Sequence, residues 1–394
     1  MEKIKCIGFK TSGVASGLKK NGGKDLGLIY SEVPATAAGV FTKNLVQAAP
    51  VLLDRERIKS GKCQAVIVNS GNANCCRGDQ GMSDAILMTR SAASGLKISE
   101  DLILAASTGV IGQPLDTGKI QAGIPELIKN MKSDGIENLA EAIMTTDTVP
   151  KVVSCQSKME GKPYTIAGVA KGSGMIRPDM ATMLCFIMSD IEIPHAILRE
   201  ALLASTDKSF NRITVDGDTS TNDTILVLAN GLSGAIVKNS VHKNSFQMVL
   251  DKVLIDLAKM VVKDGEGATK FVEIIVKGAL ADEDAYEIAD SVSNSNLVKT
   301  ALFGEDANWG RILAAAGRAG VNIDPYRTDI FFDHVMIAKN GMWCGDQAET
   351  EAAKILQKDE FVISIDLNMA QGWASVFTCD FSIDYVKINA DYRS

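Results

Sequence analysis

Residues 171–188 read KGSGMIRPDMATMLCFIM, a loop with two glycines and one proline that runs directly into an apolar segment. The apolar part, residues 183–188, is short and continuous, which is typical of a buried β-strand. These residues alone leave two interpretations of Thr182 open. It is either an ordinary β-forming residue at the start of a strand, or a nucleophile that a glycine-rich turn presents to a substrate.

Similar apolar runs along the chain predict further strands, at residues 65–68, 164–169, 225–228, 272–276 and 361–365. Apolar residues recur at three- and four-residue steps from Ser245 to Lys263, which predicts a helix with one buried face. A second helix is expected after Pro194. The class is therefore mixed α/β. The length of 394 residues favours two domains, and the polar stretch 281–284 suggests a catalytic domain of residues 1–281 and a C-terminal domain of residues 282–394.

Composition argues against several classes of protein. The formal charge is −7 and basic residues are scattered, so neither nucleic acid nor a membrane is an expected partner. We see no signal peptide and no run of about 20 apolar residues, so we expect a cytoplasmic location. The eight cysteines show neither a C-x-x-C pair nor zinc-ligand spacing, so we expect reduced thiols and no metal site.

Histidine is scarce, and this bears on any acyl-transfer chemistry. The three histidines, His195, His242 and His334, stand in contexts typical of structural or solvated side chains. A different base would then be needed. A threonine that becomes the first residue of a chain carries one, because a free α-amine has an ordinary pKa of about 7.7–8.0 and can accept the hydroxyl proton. A cut between Ala181 and Thr182 would create this arrangement.

Other polar loops supply candidate partners for such a nucleophile. Thr108 and Gly109 follow the apolar run 102–106 and can offer a hydroxyl and a backbone N–H to an oxyanion. Glu266 lies between two glycines, where it either meets a substrate ammonium group or belongs to a solvated turn. The run 211–223 indicates either a polar network at a site or a set of turns and caps. No nucleotide-binding motif is present, so no cofactor is expected.

Several long motifs, in one order along nearly the whole chain, resemble those of the ornithine acetyltransferase (glutamate N-acetyltransferase) family. They are residues 69–74, 108–112, 144–148, 171–190, 211–223, 264–270, 304–311 and 388–394. The resemblance implies a layered αββα sandwich, similar to that of N-terminal-nucleophile hydrolases but with its own topology, and a smaller C-terminal α/β domain. It also implies self-cleavage between Ala181 and Thr182. The resulting α chain, residues 1–181, and β chain, residues 182–394, would associate as an α2β2 heterotetramer.

The resemblance further implies a ping-pong reaction. Thr182 takes the acetyl group from N2-acetyl-L-ornithine and releases L-ornithine, and L-glutamate then accepts it to give N-acetyl-L-glutamate. Thr108 and Gly109 would form the oxyanion hole. The implied substrate contacts are one of the pair Thr145 and Thr146, together with Lys171, Glu266, Asn389 and Ser394. Some members of the family also use acetyl-CoA as a second acetyl donor.

Two other functions are weighed against this one. With water as the acceptor, the same fold and self-cut would give an amidase or aminopeptidase, which would not need glutamate. A binding protein without activity would also keep the fold, but Thr182, Thr108, Gly109 and Lys171 are all present, which argues against it. The Cys75-Cys76 pair departs from the commonest family pattern in its loop.

Overall fold

The computed structural model describes residues 5–177 and 183–391. The chain forms two compact units. The first contains most of the chain up to Val261. The second runs from Val262 onward and also takes in Ile176, Arg177 and the short segment Arg212–Gly217. In the described part of the chain, no helix combines the length and the apolar character that crossing a bilayer requires.

The first unit is built on an eight-stranded sheet, counted over the described residues. Its strands are β1 Phe9–Val14, β2 Leu26–Phe41, β3 Lys62–Asn72, β4 Ile103–Val110, β5 Lys151–Met159, β6 Lys162–Lys171, β7 Leu184–Ser189 and β8 Thr224–Ala229. Its helices are α1 Ala49–Arg57, α2 Gly78–Leu96, α3 Thr117–Lys129, α4 Ile136–Ile143, α5 His195–Lys208 and α6 Ser240–Lys263. The strands and helices predicted for this part of the sequence are all present. The order is β4-β3-β2-β8-β7-β6-β5, and β1 pairs with β2.

The long strand β2 connects the two halves of this sheet. Its residues 26–30 pair with β3, and its residues 36–41 pair with β8. The register with β3 shifts between Tyr30 and Ala35. Pro34 lies in this interruption and has no N–H to give to a ladder. An irregularity of this kind lets a strand bend, so the two halves of the sheet do not have to lie in one plane.

The two halves of the sheet share one buried core. Side chains of β2, β3 and β4 belong to the same apolar cluster as side chains of β6, β7 and β8. Alternate residues of β3 point the other way, since Ala65 and Ile67 belong to a second cluster with α2 and α3. On the other half, Val253 and Leu257 of α6 lie against Gly168 of β6. Helices therefore cover the outer faces, and the predicted mixed α/β sandwich is confirmed.

The second unit has its own sheet, six-stranded over the described residues, with the order β12-β11-β10-β13-β9-β14. Its elements are β9 Phe271–Ala279, α7 Asp282–Ser293, α8 Asn296–Phe303, α9 Trp309–Gly317, β10 Asp329–Phe332, β11 Val335–Lys339, β12 Met342–Trp343, α10 Asp346–Leu356, β13 Glu360–Asp366, β14 Gly372–Cys379 and α11 Ile383–Ala390. The predicted strands 272–276 and 361–365 are β9 and β13, which pair in parallel. Helices and sheet enclose a single apolar cluster.

The second unit begins earlier than the predicted boundary at 281/282. Strand β9 precedes that boundary but pairs with β13 and β14 inside the second sheet. The polar stretch at which the boundary was placed is the first turn of α7, where Asp282, Glu283 and Asp284 lie. Negative side chains are favourable there because the N-terminal end of a helix carries partial positive charge. Polarity at this point therefore marks the start of a helix.

Candidate active site

Thr108 and Gly109 lie near the carboxyl end of β4, which runs parallel to β3. Gly109 has a φ of +130°, and a Cβ atom at this position would lie 2.4 Å from the carbonyl carbon of Gly71. Both the backbone conformation and the close approach of β3 therefore require glycine. The predicted oxyanion residues thus stand at a strand end where the backbone of the neighbouring strand comes very near.

Lys171, at the end of β6, contacts Thr108. Its side chain is buried, and its Nζ donates a hydrogen bond to Thr108 Oγ1 over 3.1 Å. A lysine ammonium group can only donate, so the Thr108 oxygen is the acceptor in this bond. The hydroxyl proton of Thr108 is then free to point to a different acceptor. Lys171 thereby sets Thr108 up as a hydrogen-bond donor, which is what an oxyanion hole needs.

This contact also shows how the sheet is shaped. Strands β4 and β6 are five steps apart in the sheet order. Neighbouring strands are spaced by about 4.8 Å, so in a flat sheet the two would be roughly 24 Å apart. The observed distance of 3.1 Å between the two side chains requires the sheet to fold over on itself. The contact between Lys171 and Thr108 therefore depends on the curvature of the sheet.

Asp147 connects the groups around Lys171. Its carboxylate accepts hydrogen bonds from Thr145 N at 2.9 Å, Gly172 N at 2.7 Å and Lys151 Nζ at 2.7 Å. Burial raises the pKa of this carboxyl, but the ammonium groups of Lys171 and Lys151 and these hydrogen bonds outweigh it and hold the pKa at about 2. Asp147 is therefore ionised at neutral pH and fixes the Thr145 loop beside the residue that follows Lys171.

Replacing Asp147 by asparagine is expected to lower the free energy of unfolding at pH 7 by at least about 2 kcal/mol, because buried Lys151 loses this carboxylate. The folded pKa of about 2 lies below the ordinary value of 3.8. The contribution is therefore complete above about pH 4 and is lost as the pH falls towards 2. Urea unfolding at pH 7 and pH 3 measures it. The variant should lose less stability between the two pH values than the wild type, whereas exposed Asp101→Asn should match the wild type.

The two candidate threonines are held in different ways. Thr146 Oγ1 shares a hydrogen bond of 2.7 Å with Ser173 Oγ. Thr145 is held through its backbone N–H by Asp147. Both lie in the loop between α4 and β5, next to the segment that follows Lys171. That one of Thr145 and Thr146 contacts the substrate stays a prediction.

Asp223 holds the residue that follows the predicted nucleophile. Its Oδ1 accepts a hydrogen bond from Met183 N at 3.0 Å, and that nitrogen is bonded to the carbonyl carbon of Thr182. Thr224 N in turn donates to Met183 O at 3.1 Å. Complete burial raises the pKa of the Asp223 carboxyl well above its usual value, which favours its neutral form. The start of β7 is thus fixed by a buried acid.

If the chain cuts itself between Ala181 and Thr182, as the family resemblance implies, Asp223→Ala is expected to slow this splitting by roughly tenfold or more, because the buried N–H of Met183 loses its acceptor. Asp223→Asn keeps an acceptor oxygen and should split at close to the wild-type rate. The split fraction is followed over time after synthesis on denaturing gels, and circular dichroism checks that both variants are folded. Wild-type splitting in a folded alanine variant would contradict this role.

The C-terminal residues of the polar run 211–223 belong to a hydrogen-bond network. The side-chain amide of Asn222 donates to Ala73 O at 2.7 Å and to Ser107 O at 2.8 Å. Ser107 Oγ donates to Asn69 Oδ1 at 2.6 Å. These bonds tie the ends of β3 and β4 to the segment before β8. Of the two interpretations of this run, Asn222 and Asp223 support the polar network.

Glu266 and Asn389, both predicted to contact substrate, meet within the second unit. Asn389 Nδ2 donates to Glu266 Oε2 at 2.8 Å. Gly267 has a φ of +67°, and a Cβ atom there would lie 2.6 Å from Tyr385 N, so the loop packs tightly on α11. The solvated-turn interpretation does not fit Glu266, which is only 8% exposed. The remaining predicted residues, Ala181, Thr182 and Ser394, lie outside the described residues.

Comparison with known proteins decides the family. The ArgJ family model matches residues 10–394. This chain belongs to the ArgJ family. The family predicted from the motifs is thereby confirmed, and membership places the chain among the enzymes of arginine biosynthesis.

Individual ArgJ relatives match over their full length. "Arginine biosynthesis bifunctional protein ArgJ" of Geobacter sulfurreducens is 51% identical over 389 residues, covering 98% of this chain and 99% of that protein. The protein of the same name from Syntrophotalea carbinolica is 50% identical over 393 residues, covering 99% and 100%. A crystal structure of the Bacillus halodurans protein is 40% identical with a TM-score of 0.50, and covers 52% of this chain and 97% of the solved chain.

The histidines of this ArgJ-family chain lie apart from the groups above. The ring of His195 packs against Gly61, and His242 Nε2 lies 3.6 Å from Glu160 Oε1. His334 follows β10 in the second unit. None of the hydrogen bonds described around Thr108, Lys171 and Asp147 involves a histidine. The expectation of structural or solvated histidines fits these positions.

Proposed function

We propose that the chain is a glutamate N-acetyltransferase, which transfers the acetyl group of N2-acetyl-L-ornithine to L-glutamate. The acetyl group would be carried on Thr182 after self-cleavage between Ala181 and Thr182. The observation that carries this proposal is the hydrogen bond from Lys171 to Thr108, because it prepares a hydroxyl donor beside a glycine N–H. Membership of the ArgJ family supports the choice of donor and acceptor.

In this mechanism Thr182 Oγ attacks the acetyl carbonyl while its proton passes to the α-amine of the same residue. The carbonyl oxygen becomes an oxyanion and accepts hydrogen bonds from the Thr108 hydroxyl and the Gly109 N–H. Collapse of this intermediate breaks the amide bond, and ornithine leaves after its nitrogen takes the proton. The amine of glutamate then attacks acetyl-Thr182, and the threonine hydroxyl is restored.

Charged residues would select the amino-acid substrates. Lys171 suits a substrate carboxylate, since its ammonium group is positive and donates hydrogen bonds. Glu266 suits the side-chain ammonium group of ornithine, and the amide of Asn389 orients its carboxylate. By the family resemblance, Ser394 and one of Thr145 and Thr146 complete the contacts.

The pairing of strands supports stable association of the two chains after a cut. The cut would separate β6 from β7, which pair with each other. On the other side β8 pairs with β2. Strands of the residue 182–394 chain would thus lie between strands of the residue 1–181 chain, and separation would break both ladders. We further propose that two such pairs form a cytoplasmic α2β2 heterotetramer.

The length of the solved relative agrees with a cut. The Bacillus halodurans chain uses 97% of its length to match 52% of this one. It is therefore about half as long, close to the share that residues 182–394 make up here. Since the curated relatives are named bifunctional, we also propose acetyl-CoA as a second acetyl donor.

Intact-mass measurement under denaturing conditions tests the proposal. Purified protein is exposed briefly to N2-acetyl-L-ornithine, and then to L-glutamate or to buffer alone. We expect two chains split before Thr182, with one acetyl group on the second chain that only glutamate removes quickly. Loss of the acetyl group at the same rate in buffer would indicate an amidase. A single uncut chain without acetyl would contradict the assignment of Thr182. Acetyl-CoA in place of acetyl-ornithine tests the second donor.

A further inference from the structure

Two adjacent thiols face each other in the loop between β3 and α2. Cys75 Sγ and Cys76 Sγ lie 3.7 Å apart, with Cys75 buried and Cys76 exposed. Successive side chains of an extended chain point to opposite sides, so adjacent thiols meet only where the backbone turns. It turns here because Asn74 and Cys76 have φ values of +46° and +58°.

The backbone of this loop is firmly held in its unusual conformation. Asn74 N donates to Asn72 Oδ1 at 2.8 Å, and Asn74 Nδ2 donates to Gly81 O at 2.9 Å. Gly112 N donates to Cys75 O at 3.1 Å. Left-handed conformations of residues other than glycine are costly and persist only where the surroundings fix them. The two thiols are therefore brought together before any ligand arrives.

We propose that Cys75 and Cys76 form a dithiol site for soft, thiol-seeking elements that can bond two sulfur atoms at once, of which trivalent arsenic compounds are the test case. Cysteine sulfur is a soft ligand and prefers such elements to hard cations. A direct disulfide is less suited to this pair. Adjacent Cα atoms are about 3.8 Å apart, whereas disulfides usually join Cα atoms about 4.4–6.8 Å apart. A bridging atom lets the sulfurs stay near their present separation.

The chemistry balances without an oxidant. An arsine oxide, R–As=O, reacts with both thiols so that two As–S bonds form and the As–O bonds break. The two S–H protons leave with the oxygen as one molecule of water, and arsenic stays trivalent. Exposed Cys76 reacts first, and the second bond then draws in the buried sulfur of Cys75.

An arsenic atom that bridges Cys75 and Cys76 would disturb β4, the strand that carries Thr108 and Gly109. Cys75 O holds Gly112 N, four residues from Thr108. The carbonyl of Ala73 accepts from the amide of Asn222, which also holds Ser107 O. The sulfurs need not move apart, but an arsenic group bound to buried Cys75 needs room, and any backbone shift that makes this room is transmitted to both sides of Thr108. We expect occupation of the dithiol to inhibit acetyl transfer, a consequence that rests on the proposed function, whereas the bridging itself does not.

The test treats the purified full-length protein with phenylarsine oxide. Intact mass should show one phenylarsine group per protein on the chain that contains residues 75 and 76. Acetyl transfer should fall by about tenfold or more, as for a damaged oxyanion hole. A dithiol such as dithiothreitol should reverse both effects, while an equal concentration of thiol groups from a monothiol should not. Cys76→Ser should remove the adduct and the inhibition. Cys344→Ser, which alters an exposed thiol in the second unit, should change neither.

An adduct that persists in folded Cys76→Ser, or that a monothiol removes as well as a dithiol does, would overturn the proposed site. A bridged protein that transfers acetyl groups at the untreated rate would overturn the link to Thr108. If untreated protein shows no acetyl transfer, the proposed function has failed. The mass measurement then still decides whether the dithiol bridges arsenic.

Discussion

Under the proposed mechanism, we expect Thr182→Ala to remain a single chain of 394 residues and to lose acetyl transfer by a factor of about 10⁴ or more, the scale seen when a nucleophile is removed from an enzyme. Alanine has no hydroxyl to attack the preceding peptide bond or the acetyl carbonyl. Both reactions should therefore fail together. Intact mass gives the state of the chain, and formation of N-acetyl-L-glutamate from N2-acetyl-L-ornithine gives the activity.

Thr182→Ser is the matched variant. Serine keeps the hydroxyl and the future α-amine, so this chain should split and form an acetyl adduct, at a reduced rate. Thermal unfolding of both variants checks that neither loses its fold. A folded Thr182→Ala protein that splits at this bond, or that transfers acetyl groups, would remove the basis of the mechanism.

Thr108→Val should lower kcat by about 10²–10³, the cost of losing one oxyanion donor. Valine has nearly the same shape as threonine, but it has neither a proton for the oxyanion nor an oxygen to accept from Lys171. KM for N2-acetyl-L-ornithine should change much less, because under the proposed mechanism this hydroxyl acts on charge that develops only in the transition state. Steady-state kinetics separate the two constants.

The control for this variant is Thr300→Val, which alters an exposed threonine on α8. It should leave both kcat and KM unchanged. If Thr108→Val raised KM while kcat stayed at the wild-type value, Thr108 would bind ground-state substrate and would not be an oxyanion donor. The pairing of Lys171 with Thr108 would then serve the fold rather than the reaction.

Local sequence patterns predicted the elements of the fold better than their arrangement. The apolar runs that predicted β3, β6, β7 and β8 are strands, because continuous apolar stretches suit strands buried on both faces. The order of those strands could not be predicted, because pairing of β2 with β8 joins segments far apart in the chain. The domain boundary was placed at the acidic start of α7 because polarity alone does not distinguish a helix start from a domain boundary.

The candidate site was predicted in part. Thr108 was a candidate from its place after an apolar run, and Lys171 came from the family resemblance. Their direct contact depends on how the sheet folds over. Asp147 and Asp223 were not named individually, although each lies within a motif that was. Asp147 accepts hydrogen bonds from the backbone N–H groups of Thr145 and Gly172, and Asp223 accepts one from Met183. These partners depend on the folded backbone and cannot be identified from the sequence.

The strand order of the first sheet sets the stage of protein synthesis at which Lys171 can reach Thr108. Strands β4 and β6 emerge from the ribosome early, but in the finished sheet β8 lies on the path between them. A growing chain that ends before residue 229 lacks the strand that joins β2 to β7, so Lys171 has no scaffold that carries it to Thr108. Under the proposed mechanism, the oxyanion hole therefore forms only after residue 229 has been synthesised. If cutting at Thr182 uses the same oxyanion donors, it cannot precede the pairing of β8 with β2 and β7.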